Sequence, residues 1–137
     1  MDIKSVYDIA GRAMAAQLVR LNTVASNLAN AGSTTGDPKK TYKPLKSIFE
    51  TQYSDLVKKN GIATVDAVEV KEIGREPIKQ YMPQHPAADA QGYIYKAAVN
   101  VDEEMVDMMD ASRQYQNNVE VVTTLKALTL KTINLGK

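Results

Sequence analysis

Hydrophobic positions divide the chain into two regular ends and an irregular middle. At the N-terminal end, apolar residues recur in alternating steps of four and three, with Gln17 as the one polar member. This 3.5-residue repeat is typical of a coiled-coil seam on one face of a helix. The seam consists of Ile3, Tyr7, Ala10, Met14, Gln17, Leu21, Val24, Leu28 and Ala31. We therefore predict a helix from about Ser5 to Ala31, which Gly32 ends.

The C-terminal end has a similar pattern. Asn100 and Glu103 have capping-box spacing at the predicted helix start. Acidic residues crowd the first turns and lysines lie at the far end, which is the charge order that a helix dipole favours. The seam consists of Val101, Met105, Met108, Ser112, Tyr115, Val119 and Val122, and then of Leu125, Leu128, Thr132 and Leu135. A second long helix is therefore predicted, and Gly136 should end it.

Residues that break helices are confined to the segment between these two ends. All five prolines lie between residues 38 and 86. Residues 33–47 are predicted to form an extended loop, because Pro44 disfavours a helical conformation of the residue before it. Residues 48–57 fit either a short helix or a strand. Alternation and turn signals predict strands at 62–73, 78–82 and 92–96, with a turn at Asn60-Gly61.

The predicted fold class is mainly α with a small β-rich insert. The N- and C-terminal helices are expected to pair as an antiparallel coiled coil around the central extended and β segment. In domain terms, residues 1–32 form the N-terminal helix of a coiled-coil domain and residues 99–137 its C-terminal helix. Residues 33–98 form an extended loop and a small β-rich domain.

Some large apolar side chains lie off both seams. They are Leu18, Met109, Val121, Leu130 and Ile133, and we expect them to stay exposed in a monomer. Surplus apolar surface of this kind marks interaction sites. The alternative is a wide core-facing stripe that the insert covers, but a short insert cannot cover helices of this length. Gln17 either fixes the register of the helix pair or lies at the margin of the seam, and the sequence favours neither.

Composition excludes several classes of function. The net charge is +1, and the densest basic stretch (Lys39, Lys40, Lys43 and Lys46) lies in a loop, so we expect no nucleic-acid partner. There is no cysteine, and no apolar run approaches the roughly 20 residues that span a bilayer. The N-terminus carries no secretory signal pattern. We therefore expect no direct membrane insertion and no cleaved signal peptide.

No residue pattern indicates catalysis. The single histidine, His85, precedes Pro86 in a polar loop and is predicted to be a solvent-exposed turn residue. The acidic run that begins at Asp102 fits the start of a helix better than a cation site. We predict no catalytic residues, no cofactor, no metal site and no small-molecule substrate, and therefore no enzyme.

Three segments resemble a known family. Residues 25–31, Ala-Ser-Asn-Leu-Ala-Asn-Ala, resemble the N-terminal signature of bacterial flagellar rod and hook proteins. Residues 103–121 resemble the C-terminal helix of that family, as do residues 130–136. Residues 85–94, His-Pro-Ala-Ala-Asp-Ala-Gln-Gly-Tyr-Ile, are similar to a pattern found in a proximal-rod member.

The resemblance implies a structural subunit of the flagellar basal body that polymerises through its terminal helices into the proximal rod and transmits torque. The implied partners are neighbouring copies of the chain, other flagellar rod proteins and the flagellar type III export apparatus. It also implies terminal helices that are disordered in the monomer and fold on assembly. The alternative is a soluble cytosolic coiled-coil adaptor or export chaperone, which would form a discrete dimer and be absent from basal bodies.

For the rod interpretation, we predict an assembly interface on both helices. Its residues are Leu21, Val24, Asn27, Leu28, Asn30, Met105, Met108, Tyr115, Val119, Val122, Leu125 and Leu128.

Overall fold

The computed structural model describes residues 3–52 and 64–135. Two long helices, α1 (Ile3–Asn30) and α2 (Val101–Leu135), enclose the strands in the sequence. The strands are β1 (Thr34–Thr35), β2 (Leu45–Gln52), β3 (Thr64–Glu72), β4 (Ile78–Tyr81) and β5 (Tyr93–Lys96). The two predicted terminal helices and the small antiparallel β region between them are confirmed. The turn at Asn60-Gly61 lies outside the described residues.

Both helices begin and end near the predicted residues. At the start of α2, Oδ1 of Asn100 accepts the backbone N–H groups of Asp102 at 3.1 Å and Glu103 at 3.4 Å, so Asn100 caps the helix. The Glu103 carboxylate, which the capping box would turn back toward Asn100, instead accepts hydrogen bonds from Arg75 at 3.4 and 3.3 Å. Asn100 therefore caps the helix as predicted, whereas Glu103, the second residue of the capping box, binds the segment after β3 through Arg75.

The middle of the chain forms two small antiparallel sheets. β2 pairs with β3 from Leu45 opposite Glu72 to Gln52 opposite Thr64, with an irregularity between Ile48 and Phe49. β5 lies between β1 and β4 in the second sheet. The described part of the ambiguous segment 48–57 is thus a strand, because its backbone finds partners on β3.

The prediction of a loop over residues 33–47 is wrong at both ends. Thr34 and Thr35 form β1, and β2 already begins at Leu45. The reason is that an extended backbone before Pro44 leads directly into a strand. The Pro44 carbonyl accepts the Ile73 N–H at 2.7 Å and so lengthens the pairing of the hairpin.

The two helices lie against each other with opposite chain directions. Gln17 bonds Gln114 and Asn27 bonds Glu104, so residue numbers fall along α2 as they rise along α1. This register places Ile3 level with Leu128. The last seven residues of α2 therefore extend beyond the described start of α1.

The buried core is thin and consists mostly of small side chains. Its apolar members are Ala10, Ala16, Val24, Ile94, Ala97 and Ala111, each at most 3% exposed. Within α2, all of whose residues are described, Ala111 alone is buried. Small residues let the helices approach closely, but they bury little area. The fold therefore leaves much of the apolar surface of α2 open.

Candidate assembly interface

Asn27, in the last turns of α1, joins three elements of the fold. Its Nδ2 donates to the Leu45 carbonyl at 2.8 Å and to Oε1 of Glu104 at 3.0 Å. Its Oδ1 accepts the Leu45 N–H at 2.8 Å and the Tyr42 hydroxyl at 2.9 Å. A carboxamide has two donors and two lone pairs, so this buried group, 1% exposed, is fully satisfied. It connects α1 to the start of β2 and to α2.

The neighbours of Asn27 in the asparagine signature support this junction. Because the Tyr42 hydroxyl donates its proton to Asn27, it accepts one from Ser26 Oγ, 3.1 Å away. Asn30 donates to the Ser26 carbonyl at 2.8 Å and so holds the last turn of α1. One asparagine thus bonds across an interface and the other bonds local backbone.

A row of polar contacts runs along one side of the helix pair. Arg20 forms an ion pair with Asp107 and a second one with Asp110 at 3.4 Å. The hydrogen bond that Arg20 donates to Asp107, together with the charges of both carboxylates, raises the pKa of Arg20 above its ordinary value. Gln114 donates to Asp110 at 3.1 Å and accepts from Gln17 at 2.9 Å. Five side chains from two helices are therefore linked in one polar network.

Gln17 lies at the edge of the helix interface and still reaches across it. Its Nε2 bonds Gln114, whereas its Oε1 is buried with no hydrogen-bond partner among the residues that the structure describes. Gln17 thus contacts the opposite helix, and whether it fixes the register of the helix pair or only lies at the seam margin stays a prediction.

The predicted interface residues fall into two groups. On α1, Val24 and Asn27 are buried, and Leu21, Leu28 and Asn30 are half-buried. On α2, four residues are half-buried, namely Met108, Tyr115, Val122 and Leu125. Three others are exposed, namely Met105 (53%), Val119 (41%) and Leu128 (56%). The buried and half-buried residues lie within the fold of one chain, and the three exposed residues are open to contacts with other chains.

The covered face of α2 is rotated from the predicted seam. Its less exposed positions also recur in steps of four and three, as Glu104, Met108, Ala111, Tyr115, Asn118, Val122, Leu125 and Thr129. Four members agree with the prediction, and polar or small residues replace the others. Ala111 and Asn118 were missed because each lies one position before a residue, Ser112 or Val119, that continues the regular four-three spacing. Ala111 is small and fully buried, which lets α1 approach closely.

Large apolar side chains remain uncovered on both helices, most of them on α2. The five residues that were predicted to lie off the seams are indeed exposed by 45 to 63%: Leu18, Met109, Val121, Leu130 and Ile133. The explanation that the β insert covers them is therefore wrong. Val101 and Val106 add to the exposed surface near the start of α2, and Leu135 adds to it at the end. Large apolar surface outside a core is the mark of a protein interface.

The loop between β4 and β5 accounts for the central motif. Asp89 Oδ1 accepts the N–H groups of Gln91 at 2.9 Å and Tyr93 at 2.8 Å. Gly92 has φ of +82°, a conformation that favours glycine. His85 is half-buried, not solvent-exposed as predicted, and its Nδ1 accepts the Ala87 N–H at 3.1 Å. The motif is thus a turn-forming sequence.

Metal-binding clusters and membrane-spanning helices are both absent from the part of the chain that the structure describes. Over residues 3–52 and 64–135, no group of three or more His, Asp or Glu side chains is arranged to hold a metal ion. In the same ranges, no helix is both long enough and apolar enough to cross a membrane.

Comparison with known proteins identifies the class to which these helices belong. Residues 8–36 match the family "Flagella basal body rod protein", and residues 90–135 match "Flagellar basal body rod FlgEFG protein C-terminal". The first match contains α1 from Asp8 onward with the Asn27 junction, and the second contains β5 and α2. The helix pair is therefore that of a flagellar basal-body rod protein.

Full-length relatives narrow the family further. The chain is 42% identical to flagellar basal-body rod protein FlgC of Escherichia coli O6:H1 over 138 aligned positions, with both chains covered completely. It is 41% identical to FlgC of Salmonella typhimurium, again over the whole of both chains. FlgC of Agrobacterium fabrum is 36% identical over 98% of this chain and 96% of its own. The chain belongs to the FlgC family of flagellar basal-body rod proteins.

Family membership decides two expectations from the sequence. The chain belongs to a family of structural rod proteins, so the prediction that it is not an enzyme is confirmed. The alternative of a cytosolic adaptor or export chaperone gains no support from relatives that match over their full length.

Proposed function

We propose that this chain polymerises through α1 and α2 into the proximal rod of the bacterial flagellum and transmits torque along it. In this proposal residues 1–32 and 99–137 form an antiparallel coiled coil of the inner tube, and residues 33–98 form an extended loop and a small β-rich domain. The observation that carries the proposal is the uncovered apolar surface of α2. Met109 is 63% exposed and Val121 is 45% exposed although α1 packs along this part of α2.

The exposed apolar surface of α2 would be buried if the chain assembled into a filament. Ordering each residue of a helix costs about 1–2 kcal/mol, and burial of apolar area must offset this cost. With Ala111 as its one buried residue, α2 gains little of that burial within its own chain. Neighbouring copies and other rod proteins would supply the rest. A head-to-tail contact that does not close produces a helical filament.

The site residues of this proposal are the predicted interface set. Val24, Asn27 and the half-buried seam residues would hold the helix pair together. The exposed Met105, Val119 and Leu128 would contact neighbouring subunits. The proposed location is the rod within the periplasm and cell envelope, and the proposed route is the flagellar type III export apparatus without a cleaved signal peptide.

The test is complementation in a flagellated host whose own copy of the gene is deleted. We expect the chain to restore swimming and to be present in purified basal bodies. The alternative function would be supported by a discrete soluble dimer in light scattering together with absence of the chain from basal bodies.

A further inference from the structure

A groove lies between α1, the β2–β3 hairpin and the first turns of α2. Its volume is about 790 Å³, and its lining includes the apolar side chains of Val24, Phe49 and Ile73. Val24 is 2% exposed, whereas Val106, on the α2 side, is 67% exposed. The groove is therefore an apolar trench that is open to solvent. We call it the hairpin groove.

Acidic side chains line the α2 side of the hairpin groove. Asp102, Glu103, Glu104 and Asp107 all contribute to its lining. Arg20 pairs with Asp107 and Arg75 pairs with Glu103. Asp102 forms no ion pair with the residues that the structure describes. Arg20, Lys46 and Arg75 line the groove as well, so its four carboxylates exceed its cationic side chains by one. The groove thus combines an apolar interior with a rim of net charge −1.

The C-terminal end of α2 is apolar and positively charged, and so complements the hairpin groove. Residues 129–135, here called the C-terminal overhang, extend beyond the described start of α1. Leu130 is 53% exposed, Ile133 is 57% exposed and Leu135 is 80% exposed. From residue 121 to the end of the sequence there is no acidic residue, whereas Lys126, Lys131 and Lys137 are all basic. The overhang is therefore an apolar helix end with positive charge.

We infer that the hairpin groove of one copy receives the C-terminal overhang of a second copy. Apolar residues would enter the apolar trench, and Lys131 would face Asp102 at the rim. The two surfaces lie at opposite ends of one straight helix, and 27 residues at 1.5 Å each put Val106 and Ile133 about 40 Å apart. One chain cannot make this contact with itself. The inference rests on the proposed function and names the contact by which the subunits polymerise.

Helix electrostatics alone do not account for this arrangement. The helix dipole favours acidic residues in the first turn of α2 and lysines in the last. It does not explain why an apolar trench lies beside the acidic end. Nor does it explain why Leu130 and Ile133 are exposed beside the lysines. A contact between unlike ends explains both, and a head-to-tail contact whose rotation does not close propagates as a helical filament.

Disulfide trapping tests the contact in assembled rods. The natural sequence has no cysteine, so single cysteines report only on the chosen positions. Variants V106C and I133C, with different epitope tags, are expressed together in the host that lacks its own copy, and purified basal bodies are oxidised. We expect a mixed V106C–I133C dimer on a non-reducing gel. In a matched control, Q116C replaces I133C at an exposed position in the middle of α2, and we expect at least about tenfold less mixed dimer.

A charge exchange gives a second measurement. K131E places a carboxylate opposite Asp102 and should lower the yield of mixed dimer about fivefold, as expected for an exposed pair of charges. D102K combined with K131E should restore the yield. If basal bodies contain both chains but the mixed dimer does not exceed the Q116C control, the inference is overturned and the rod function stands. If the unsubstituted chain is absent from basal bodies, the proposed function itself fails.

Discussion

The carboxamide of Asn27 bonds both backbone groups of Leu45, accepting its N–H and donating to its carbonyl at 2.8 Å each. This is the pairing that a neighbouring strand would offer, supplied here by a helix side chain. It lies where α1, β2 and α2 meet. The junction therefore depends on one residue whose four hydrogen bonds are all made inside the protein.

Replacement of Asn27 by Asp should weaken this junction. The carboxylate cannot donate to the Leu45 carbonyl, and it would face the Glu104 carboxylate. Each buried polar group that is left without a partner costs about 1–3 kcal/mol. We expect N27D to reduce the amount of chain in purified basal bodies at least about tenfold at equal expression. Quantitative immunoblotting of basal bodies and of whole cells measures both amounts.

Asn30→Asp is the matched control for this prediction. Among the described residues, the Asn30 side chain bonds only the Ser26 carbonyl in its own helix, and Asn30 is half-buried. The same chemical change should therefore lower incorporation less than N27D does. Equal losses in the two variants would argue against a special role for the bond with Leu45.

Leu28→Asp should block incorporation and swimming. Leu28 is half-buried next to the Asn27 junction, and a carboxylate there would lose its water on one side without a partner. Asn22→Asp introduces the same charge at an exposed position of α1 and should be tolerated. Swarm diameter in soft agar compares the two, and normal swimming of L28D would refute the place of Leu28 in the interface.

How far the sequence determines these features depends on the range over which each signal acts. The ends of α1 and α2 were predictable because caps and helix stops are local. The seam of α1 was predictable in part, because Ala10 and Val24 are buried as its regular apolar spacing predicts, whereas Ala16, Thr23 and Asn27 are buried off that seam. The covered face of α2 was only half predictable, since it depends on how α1 packs and not on apolar spacing alone. The bond between Asn27 and Leu45 joins residues that only the tertiary fold brings together, and no periodicity indicates it.

Gly92→Ala should destabilise the turn between β4 and β5. Gly92 has φ of +82°, and a Cβ atom there would lie 3.0 Å from the Tyr81 ring and 3.1 Å from Pro83. A side chain in this conformation costs about 1–2 kcal/mol. We expect proteolysis within residues 82–92 to be about fivefold faster or more. Gly74→Ala, where a Cβ would meet no atom within 4 Å among the described residues, should leave the rate unchanged.

Removal of the Arg20 ion pairs should make the helix contact less sensitive to salt. Because its carboxylate partners raise the pKa of Arg20, the guanidinium stays charged in the folded chain up to high pH. The stabilisation that the ion pairs give to the helix contact is lost only as pH rises through this raised pKa. The side chains of Asp107 and Asp110 are 39% and 47% exposed, so the pairs contribute about 1 kcal/mol or less. We expect R20Q to lower modestly the amount of chain that assembles into rods at low salt. The amounts assembled at low and at high salt should then be equal. An unchanged salt dependence in R20Q would show that other charges are responsible.

The sparse burial of α2 predicts that its order depends on neighbours. Ala111 is its one buried residue, so an isolated chain gains too little apolar burial to offset the entropy of ordering 35 residues. We expect the purified monomer to show clearly less helix by circular dichroism than the 63 residues of α1 and α2 together would give. Helicity should rise when the chain assembles with its rod partners. Full helicity in a dilute monomer, confirmed as monomeric by light scattering, would show that α2 folds without them.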